Sequence, residues 1–305
     1  MPLLSTVAGV VLVLVARNDV FHTLLRPAAT GRLSAMVFRA VWALTRHPRP
    51  MSSISGPLTI LTTIAMWLVL VTFGWALVHL PHIPDGFSYS GIEPGDYHPF
   101  VEAITFSLVA LTTLGLGDVI PADPVVRVLT PLEALTGFAL LSAAAAWFMQ
   151  LFPALSRRRA FAIDLTGLHE AGVTSGLEQL SDTHAASVVR GVSQSLAALT
   201  ADLVQNPEIF YFTEKDEALS APRALHYSLE LRDAALSSAS ADVRAEGGAL
   251  SHVIDELARA LRGQYPHLGG ESSDEVFGSA AQGHGHPFTL AGIEAEEAPE
   301  DPPGP

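Results

Sequence analysis

Long apolar stretches separated by short polar segments dominate the hydrophobic pattern of the chain. Pro57 to Leu80 is a run of 24 residues without Asp, Glu, Lys or Arg. At about 1.5 Å per residue, a helix of this length crosses a hydrocarbon core of about 30 Å. Val125 to Phe152 is a second such stretch, interrupted only by Arg127 and Glu133. We predict one membrane-spanning helix in each stretch.

A third apolar stretch lies at the start of the chain. Leu3 to Ala16 is free of charged residues but is only 14 residues long, which is too short to cross the core. It reaches a spanning length only if the helix continues through the apolar positions Val20, Phe21, Leu24 and Leu25. On that condition we predict a third, N-terminal span.

Beyond the last span, the periodicity becomes that of amphipathic helices in water. Apolar residues at helical spacing predict two such helices, one through Val188, Val192, Leu196 and Leu199 and another through Leu250, Val253, Ile254, Leu257 and Leu261. Pro222 either interrupts or starts a helix between them. From about Gly269 onward, Gly, Ser, Glu and Pro dominate, which favours disorder.

Four regions follow from this pattern. Residues 1–50 hold the N-terminal span and a basic helix, and residues 51–155 hold two spans with a short apolar segment between them. We expect residues 156–266 to form a helical cytosolic domain. Residues 267–305 are expected to form a disordered, acidic tail rich in Pro and Gly.

The distribution of arginine predicts the orientation in the membrane, because cytoplasmic loops carry an excess of basic residues. Six arginines lie between the first two apolar stretches, and three more, Arg157, Arg158 and Arg159, follow the last one. His82 to Pro99 holds three acids and no Lys or Arg. We therefore expect a multi-pass protein of the cell membrane with its N-terminus outside and its C-terminus in the cytoplasm.

Arg32, Arg39 and Arg46 recur every seven residues among apolar neighbours. Read as a helix, this spacing gives a basic stripe that could lie on membrane lipid at the inner surface. An ordinary linker helix explains the same pattern equally well. A voltage sensor would need Arg at about every third position inside a span, and that pattern is absent from the sequence.

Composition and charge narrow the classes of function. The chain is 49% hydrophobic and 16% charged, and its net charge is −14. The 23 acids and 7 bases from Asp164 onward place the negative charge in the C-terminal half, so nucleic acid is not an expected partner. Cysteine is absent, which excludes disulfides and thiolate chemistry. No arrangement of a nucleophile and a base supports an enzyme, and no cofactor is expected.

A histidine pair in the tail, His284 and His286, is the one pattern that suggests a metal ligand. It lies in the segment expected to be disordered, with no carboxylate at close spacing. We therefore expect both side chains to be solvated.

A short segment between the last two spans carries the candidate chemistry. Pro99 to Thr112 is largely apolar but too short to cross the membrane, although both of its ends lie on the predicted outer side. It can enter the membrane as a short helix and return as non-helical backbone. Such backbone is tolerated at that depth only when it is buried in protein or lines a water-filled cavity. Gly115 and Gly117 supply the conformational freedom for it.

The returning segment, Thr113 to Asp118, can replace the water around a cation. Backbone carbonyls of Thr113, Leu114, Gly115 and Leu116, with the Thr113 hydroxyl, would supply stacked rings of oxygen atoms. The rings close only if four chains meet on one axis. One such segment in each chain therefore predicts a homotetramer.

The sequence resembles the two-span pore module of potassium channels. Thr112-Thr113-Leu114-Gly115-Leu116-Gly117-Asp118 is similar to the family signature T-T-V-G-Y-G-D, and the likeness runs from about Pro57 to Phe152. The resemblance implies an all-α membrane protein, a tetrameric pore-loop channel with outer helix, pore helix, filter and inner helix. It also implies potassium ions bound at Thr113 to Leu116, with Gly117 completing the filter. The N-terminal span and the cytosolic helices are additions to this module.

The filter departs from the family pattern at Leu116, which stands where tyrosine is usual. That tyrosine normally braces the filter against aromatic residues of the pore helix, whose positions are taken here by Thr105 and Phe106. The carbonyl of residue 116 is unchanged, so stiffness and the preference for potassium over sodium are the properties in question. A Gly-Leu-Gly filter occurs among two-pore-domain relatives, which keeps potassium the favoured ion.

Several residues around the filter have both a functional and an ordinary structural interpretation. Thr112 and Asp118 are expected to support the filter, Asp118 by bonding to the pore helix with Thr105 as a possible partner. Glu133 either bonds behind the filter or faces an outer crevice. Gly137 is a gating hinge or a close helix contact. Met149 and Phe152, with Phe148, either narrow the inner mouth or pack against lipid and helices, and Pro153 is expected to end the span.

The expected function is passive potassium conduction by a homotetramer, with a cytosolic regulator that the sequence does not identify. A weakly selective monovalent cation channel is the first alternative. A non-conducting membrane scaffold or sensor that keeps the pore fold is the second.

Overall fold

The computed structural model describes residues 2–26, 29–45 and 54–286. Within these ranges the chain forms nine α-helices and one small antiparallel ribbon. The helices are α1 (Pro2–Leu24), α2 (Arg32–Thr45), α3 (Ser55–His79), α4 (Pro99–Leu111), α5 (Pro124–Glu170), α6 (Asp182–Gln205), α7 (Ala221–Ser237), α8 (Ala241–Gln264) and α9 (Ser273–Gly283). The strands are β1 (Phe87–Tyr89) and β2 (Val119–Pro121).

Three helices are long and apolar enough to cross a membrane, which confirms the three predicted spans by length and composition. They are α1, α3 with the short 3-10 turn that follows it to His82, and α5. The condition placed on the first span is met except at its last residue, because α1 continues through Val20, Phe21 and Leu24 but ends before Leu25. The orientation of these helices in the membrane stays a prediction.

The described residues divide into two compact units. The first unit comprises the chain up to Phe38 and Ile60–Gln150, and the second comprises Arg39–Thr59 and the chain from Leu151 onward. The start of α3 therefore belongs to the same unit as the C-terminal helices. This division joins segments that the sequence analysis assigned to separate regions.

Asp19 joins three helices of the first unit. Its side chain is buried and accepts hydrogen bonds from the backbone amides of Leu33 and Ser34, at 2.8 and 3.1 Å, and from the Ser34 hydroxyl. It also accepts the indole N–H of Trp67 on α3, at 2.9 Å. An acid on an apolar helix is costly unless it is paired, and here it satisfies the first-turn amides of α2, which has Gly31 in place of a capping side chain.

A close approach of α1 and α3 depends on a pair of glycines. A Cβ atom on Gly9 would overlap the carbonyl of Gly74, and one on Gly74 would lie 3.0 Å from the carbonyl of Gly9. Small residues at this position let two apolar helices pack at the backbone, where a larger side chain would separate them.

The ribbon of β1 and β2 closes the segment around α4. Phe87 pairs with Pro121 and Tyr89 with Val119, so residues before and after α4 are held side by side. The fold prediction was all-α, and it missed this ribbon because each strand is only three residues long. Such short strands are defined by their pairing and leave no alternating pattern in the sequence.

The second unit contains the amphipathic helices that the sequence predicted. Val192, Leu196 and Leu199 are buried on α6, and Leu250, Ile254, Leu257 and Leu261 are buried on α8. Val188 and Val253 are half-buried at the edges of these faces. Pro222 lies in the first turn of α7, so it starts a helix.

The expectation of disorder from residue 267 is wrong for the segment that forms α9. Ser272 and Glu275 make a reciprocal capping box at its start, and Val276 and Phe277 are fully buried. Small and polar residues obscured this helix in the composition, but the cap and the short apolar face stabilise it. The rest of the expected tail, residues 287–305, lies outside the described residues.

The interpretation of His284 and His286 as solvated residues is also wrong. Both side chains are buried. The ring nitrogens of His284 lie 2.8 Å from the carbonyl oxygens of Ala280 and Phe210, and its ring packs against Trp42 and Phe210. Trp42 lies on α2, so this histidine joins the C-terminal end of α9 to α2.

The three arginines after the last span are bound by partners within the second unit. Arg157 makes a two-point ion pair with Asp202 at 2.6 and 2.7 Å. Arg158 is buried and donates to the carbonyl of Ile209 and to Glu214, which also accepts from Arg159. These arginines therefore fasten the end of α5 to α6 and to the segment before α7.

The burial of His284 predicts a pH-dependent loss of stability. Burial, with smaller contributions from Arg158 and His286, lowers the pKa of His284 to about 4, although its two carbonyl contacts act in the opposite direction. The unfolded chain, with a pKa near 6.5, binds more protons between these values, so stability falls as the pH drops from about 6.5 to about 4. We expect a loss of about 3 kcal/mol in full.

The measurement is the thermal unfolding midpoint of the purified full-length protein at pH 7.5 and pH 4.5. His284→Gln should shrink the difference between the two midpoints, because glutamine does not titrate. His252→Gln is the matched control, since its side chain is 74% exposed on α8. An equal pH effect in both variants would contradict the assignment.

Candidate pore loop and its supports

Helix α4 has a defined beginning and a defined end. Its first turn starts at Pro99, and Nδ1 of the His98 ring accepts a hydrogen bond from the backbone amide of Phe100 at 3.3 Å. At the other end, the amide of Leu114 donates to Val109 and that of Thr113 donates to Ala110, both at 3.0 Å. This pair of bonds is the Schellman arrangement, which reverses the chain after a helix and satisfies its last carbonyls.

The backbone after α4 alternates in handedness. Thr113, Gly115 and Gly117 have φ angles of 57°, 61° and 81°, whereas Leu114 and Leu116 lie outside this left-handed region. In an ordinary strand, successive carbonyls point to opposite sides. A backbone of alternating hand can direct them to one side, which is the requirement for an oxygen-lined path.

Thr113 is strained at this position. Among the described residues it is the only one other than glycine with a left-handed φ. The position after a Schellman helix end usually takes glycine, and a β-branched residue there costs about 1–3 kcal/mol. The loop therefore keeps a threonine where a glycine would be free of strain.

The loop is uncovered in the single chain. Residues 112–117 are all exposed, with Leu114 at 64% and Leu116 at 59%. A Cβ atom on Gly115 or Gly117 would meet nothing within 4 Å. The glycines are thus needed here for their φ angles, with no close contact to preserve.

Asp118 supports the loop, but through different partners from those expected. The hydroxyl of Thr105 donates to Val101 in its own helix, so the expected bond from Thr105 to Asp118 is not formed. The Asp118 carboxylate accepts the amide of Val119 at 3.0 Å, and its backbone carbonyl accepts the amide of Ser90 at 2.8 Å. Asp118 thereby fastens the end of the loop to the ribbon. Thr112 donates its hydroxyl to Leu108 and completes the last turn of α4.

Phe106 supports α4 from behind. Its buried ring packs edge-on against Phe87 at 4.8 Å and against His79 at 5.1 Å. Phe106 therefore anchors α4 to α3 and to the ribbon, a contact the sequence analysis did not foresee.

A cavity of about 290 Å³ lies between α4 and the loop. Its walls are Ile92, Tyr97, Val101, Glu102, Thr105, Phe106, Val109, Leu116, Asp118 and Val119. Glu102 is almost fully buried in this wall. On the adjacent ribbon, burial and the neighbouring Glu102 raise the pKa of Tyr89 above its ordinary value, so this phenol stays neutral. Leu116 is the one residue of the Thr113–Gly117 loop in this lining.

A buried pair joins α3 to α5 behind the loop. His79 Nε2 lies 2.8 Å from Glu133 Oε2, and both side chains are fully buried. The buried hydroxyl of Ser107 on α4 lies beside the Glu133 carboxylate. Of the two roles considered for Glu133, bonding behind the loop is the one observed. The sequence analysis predicted no role for His79. The signal that could have identified it is a lone histidine at the end of one span together with a lone acid in the next span.

Gly137 is a close contact between helices. A Cβ atom there would overlap the carbonyl of Leu111, the last residue of α4. Helix α5 runs through Gly137 without interruption, so hinge bending at this residue stays a prediction. The end of α4, and with it the start of the loop, rests directly on the backbone of α5.

The inner part of α5 contains Pro153. Proline was expected to end the span; the helix itself continues past Pro153 to Glu170, and where the span ends stays a prediction. A helix tolerates the lost amide donor when other contacts hold it, and the arginines that follow Pro153 are bound by partners in their own unit, the second. Phe148, Met149 and Phe152 are exposed in the single chain, at 44%, 75% and 59%. Their role at an inner mouth stays a prediction.

Comparison with known proteins agrees with this geometry. Residues 62–153, which include the end of α3, α4, the loop and most of the apolar part of α5, match the family described as Ion channel. A protein of Bacillus subtilis (strain 168) with the description "Uncharacterized membrane protein YdjJ" is 24% identical over 143 residues. The match covers 47% of this chain and 41% of that relative. No solved structure matches the chain significantly. The family match supports an ion channel over less than a third of the chain, and such a family favours a protein that is not an enzyme.

The contact at Gly137 generates a prediction about stability. Gly137→Ala should lower the thermal unfolding midpoint by several degrees, because overpacking against backbone costs about 1–3 kcal/mol. The matched control is Gly167→Ala on the same helix, where a Cβ atom meets nothing within 4 Å. There alanine should be neutral or stabilising by about 0.5–1 kcal/mol. Equal midpoints for the two variants would show that the α4–α5 contact is not tight.

Proposed function

We propose that the chain is one subunit of a homotetrameric, passive channel for monovalent cations, with potassium as the favoured ion. The observation that carries this proposal is the alternating backbone at Thr113, Gly115 and Gly117, directly after a short helix that ends between two spans. The match of the same segment to an ion channel family supports it.

Conduction depends on replacing the water around the ion. A cation leaves its hydration shell only if other oxygen atoms take the place of that shell at similar distances. The carbonyls of Thr113, Leu114, Gly115 and Leu116 and the hydroxyl of Thr113 are the proposed ligands. Gly117 and Asp118 complete the outer end, where the carboxylate attracts cations.

The helix α4 adds a favourable field to these ligands. Its C-terminal end carries partial negative charge and leads directly into the loop. A cation at the inner end of the loop would be stabilised by this charge, and in a tetramer four such helix ends would act together.

A tetramer also accounts for the uncovered surfaces of the single chain. One loop cannot surround an ion, and the side chains of Leu114, Leu116, Phe138 and Leu141 are exposed in the single chain. Contact between four copies would cover these side chains and complete the rings of oxygen atoms. A non-conducting scaffold would explain this surface equally well, so ion flux is the deciding property.

The test is potassium flux into liposomes that contain the purified protein. Wild-type protein should conduct, and Gly115→Ala should reduce flux at least tenfold, because alanine disfavours the left-handed φ of 61°. Gly91→Ala is the matched control, since Gly91 also has a left-handed φ, of 81°, and open surroundings but lies outside the loop. Wild-type flux equal to that of empty liposomes would favour the scaffold.

A second candidate, a weakly selective cation channel, is favoured by the cavity behind Leu116. Leu116 is one of the residues that line this cavity, and a loop with space behind it would adjust its radius more readily, so sodium would be excluded less well. Leu116→Tyr should fill part of the cavity and raise the permeability ratio of potassium to sodium several-fold. Reversal potentials in mixed potassium and sodium measure this ratio.

Ile120→Tyr is the control for adding a tyrosine near the loop without filling the cavity, since Ile120 is exposed and does not line it. It should leave the permeability ratio unchanged. A wild-type protein that already excludes sodium strongly, with no gain from Leu116→Tyr, would remove the second candidate.

A further inference from the structure

We propose that a cleft between α1 and the start of α2 binds an anionic phospholipid, with the headgroup phosphate on two arginines and an acyl chain along α1. The cleft has a volume of about 800 Å³. It is lined by Val11, Leu14, Val15, Asn18, Asp19, His22, Arg26, Ala29, Thr30, Gly31, Arg32 and Leu33. The site is separate from the loop, so this inference does not depend on conduction.

One face of α1 changes from apolar to polar along its length. Val11, Leu14, Val15, Asn18 and His22 follow one another at intervals that return to the same side of a helix. The first three are exposed at 51%, 45% and 42%. A molecule lying along this face meets hydrocarbon first and polar groups afterwards, which is the order of groups in a phospholipid.

The polar end of the cleft carries a net positive charge, with two arginines against the single acid Asp19. Arg26 follows α1 and Arg32 begins α2, and both are exposed. Among the residues that the structure describes, neither forms an ion pair. Guanidinium groups bind phosphate oxygens through paired, charge-assisted hydrogen bonds, so two of them at the end of a span match a phosphate headgroup. His22 adds a further possible donor on the same side.

The one acid in the lining does not neutralise these arginines. Both oxygens of Asp19 are occupied by the amides of Leu33 and Ser34 and by the side chains of Ser34 and Trp67. Asp19 is 3% exposed. Its carboxylate therefore fixes the shape of the cleft from behind and leaves the guanidinium groups available to a ligand.

A phospholipid fits better than a soluble anion because of the apolar wall. Free phosphate would use the arginines and leave Val11, Leu14 and Val15 without a partner. These residues lie on a helix long and apolar enough to cross the membrane, so an acyl chain is the ordinary neighbour of that surface. Two positive groups select a headgroup with net negative charge over a zwitterionic one.

The test is binding of dioleoyl phosphatidylglycerol to the purified full-length protein in detergent, measured by native mass spectrometry, with dioleoyl phosphatidylcholine as the neutral comparison. Wild-type protein should retain phosphatidylglycerol and not phosphatidylcholine. The double variant Arg26→Gln with Arg32→Gln should weaken this binding at least tenfold. Both side chains are exposed, so neither change removes a packing contact from the core.

The matched control is Arg17→Gln with Arg127→Gln, which removes the same charge from exposed arginines outside the cleft. This variant should bind phosphatidylglycerol as the wild type does. If both double variants lost phosphatidylglycerol binding equally, the effect would be one of net charge, and the proposed site would be wrong. Equal binding of the two lipids would overturn the choice of an anionic headgroup. Displacement of the lipid by millimolar inorganic phosphate would overturn the role of the acyl chain.

Discussion

The contact between Leu111 and Gly137 is the constraint on which the geometry of the loop depends. Non-helical backbone at membrane depth has no water to satisfy it and must be held by protein. The Schellman bonds satisfy the amides of Thr113 and Leu114, and Gly137 lets the end of α4 rest on the backbone of α5. His79 and Glu133 join α3 to α5 behind it. Contacts among three helices therefore fix the position of the loop. Its own backbone contributes only the alternation between left-handed and other φ angles.

The sequence could predict the elements that are long and periodic. The three spans, α4 and the amphipathic α6 and α8 follow from apolar residues at fixed spacing, which is a local signal. Partners distant in the chain could not be predicted. Asp19 is satisfied by residues on α2 and α3, and Arg157 by Asp202, so their roles exist only after folding. Helix α9 was missed because its cap and five buried residues are weaker signals than its composition.

The start of α3 and the end of α5 both belong to the second unit. Ser55, at the start of α3, donates its hydroxyl to Tyr211, and Gly56 leaves room for the ring of Phe212. Arg157, Arg158 and Arg159 bind the far end of α5 to the same unit. A change in the packing of this unit would therefore act on α3 and α5 together.

The strain at Thr113 is the sharpest indication of what the loop is for. Glycine would take a φ of 57° without cost, and the side chain of Thr113 is exposed in the single chain. A hydroxyl at the inner end of the loop is what threonine supplies and glycine does not. Strain held at one residue, when the surrounding bonds over-determine its conformation, indicates a function that opposes stability. The oxygen ligand proposed for Thr113 is such a function, and the cost of about 1–3 kcal/mol is offset by the bonds that fix the end of α4.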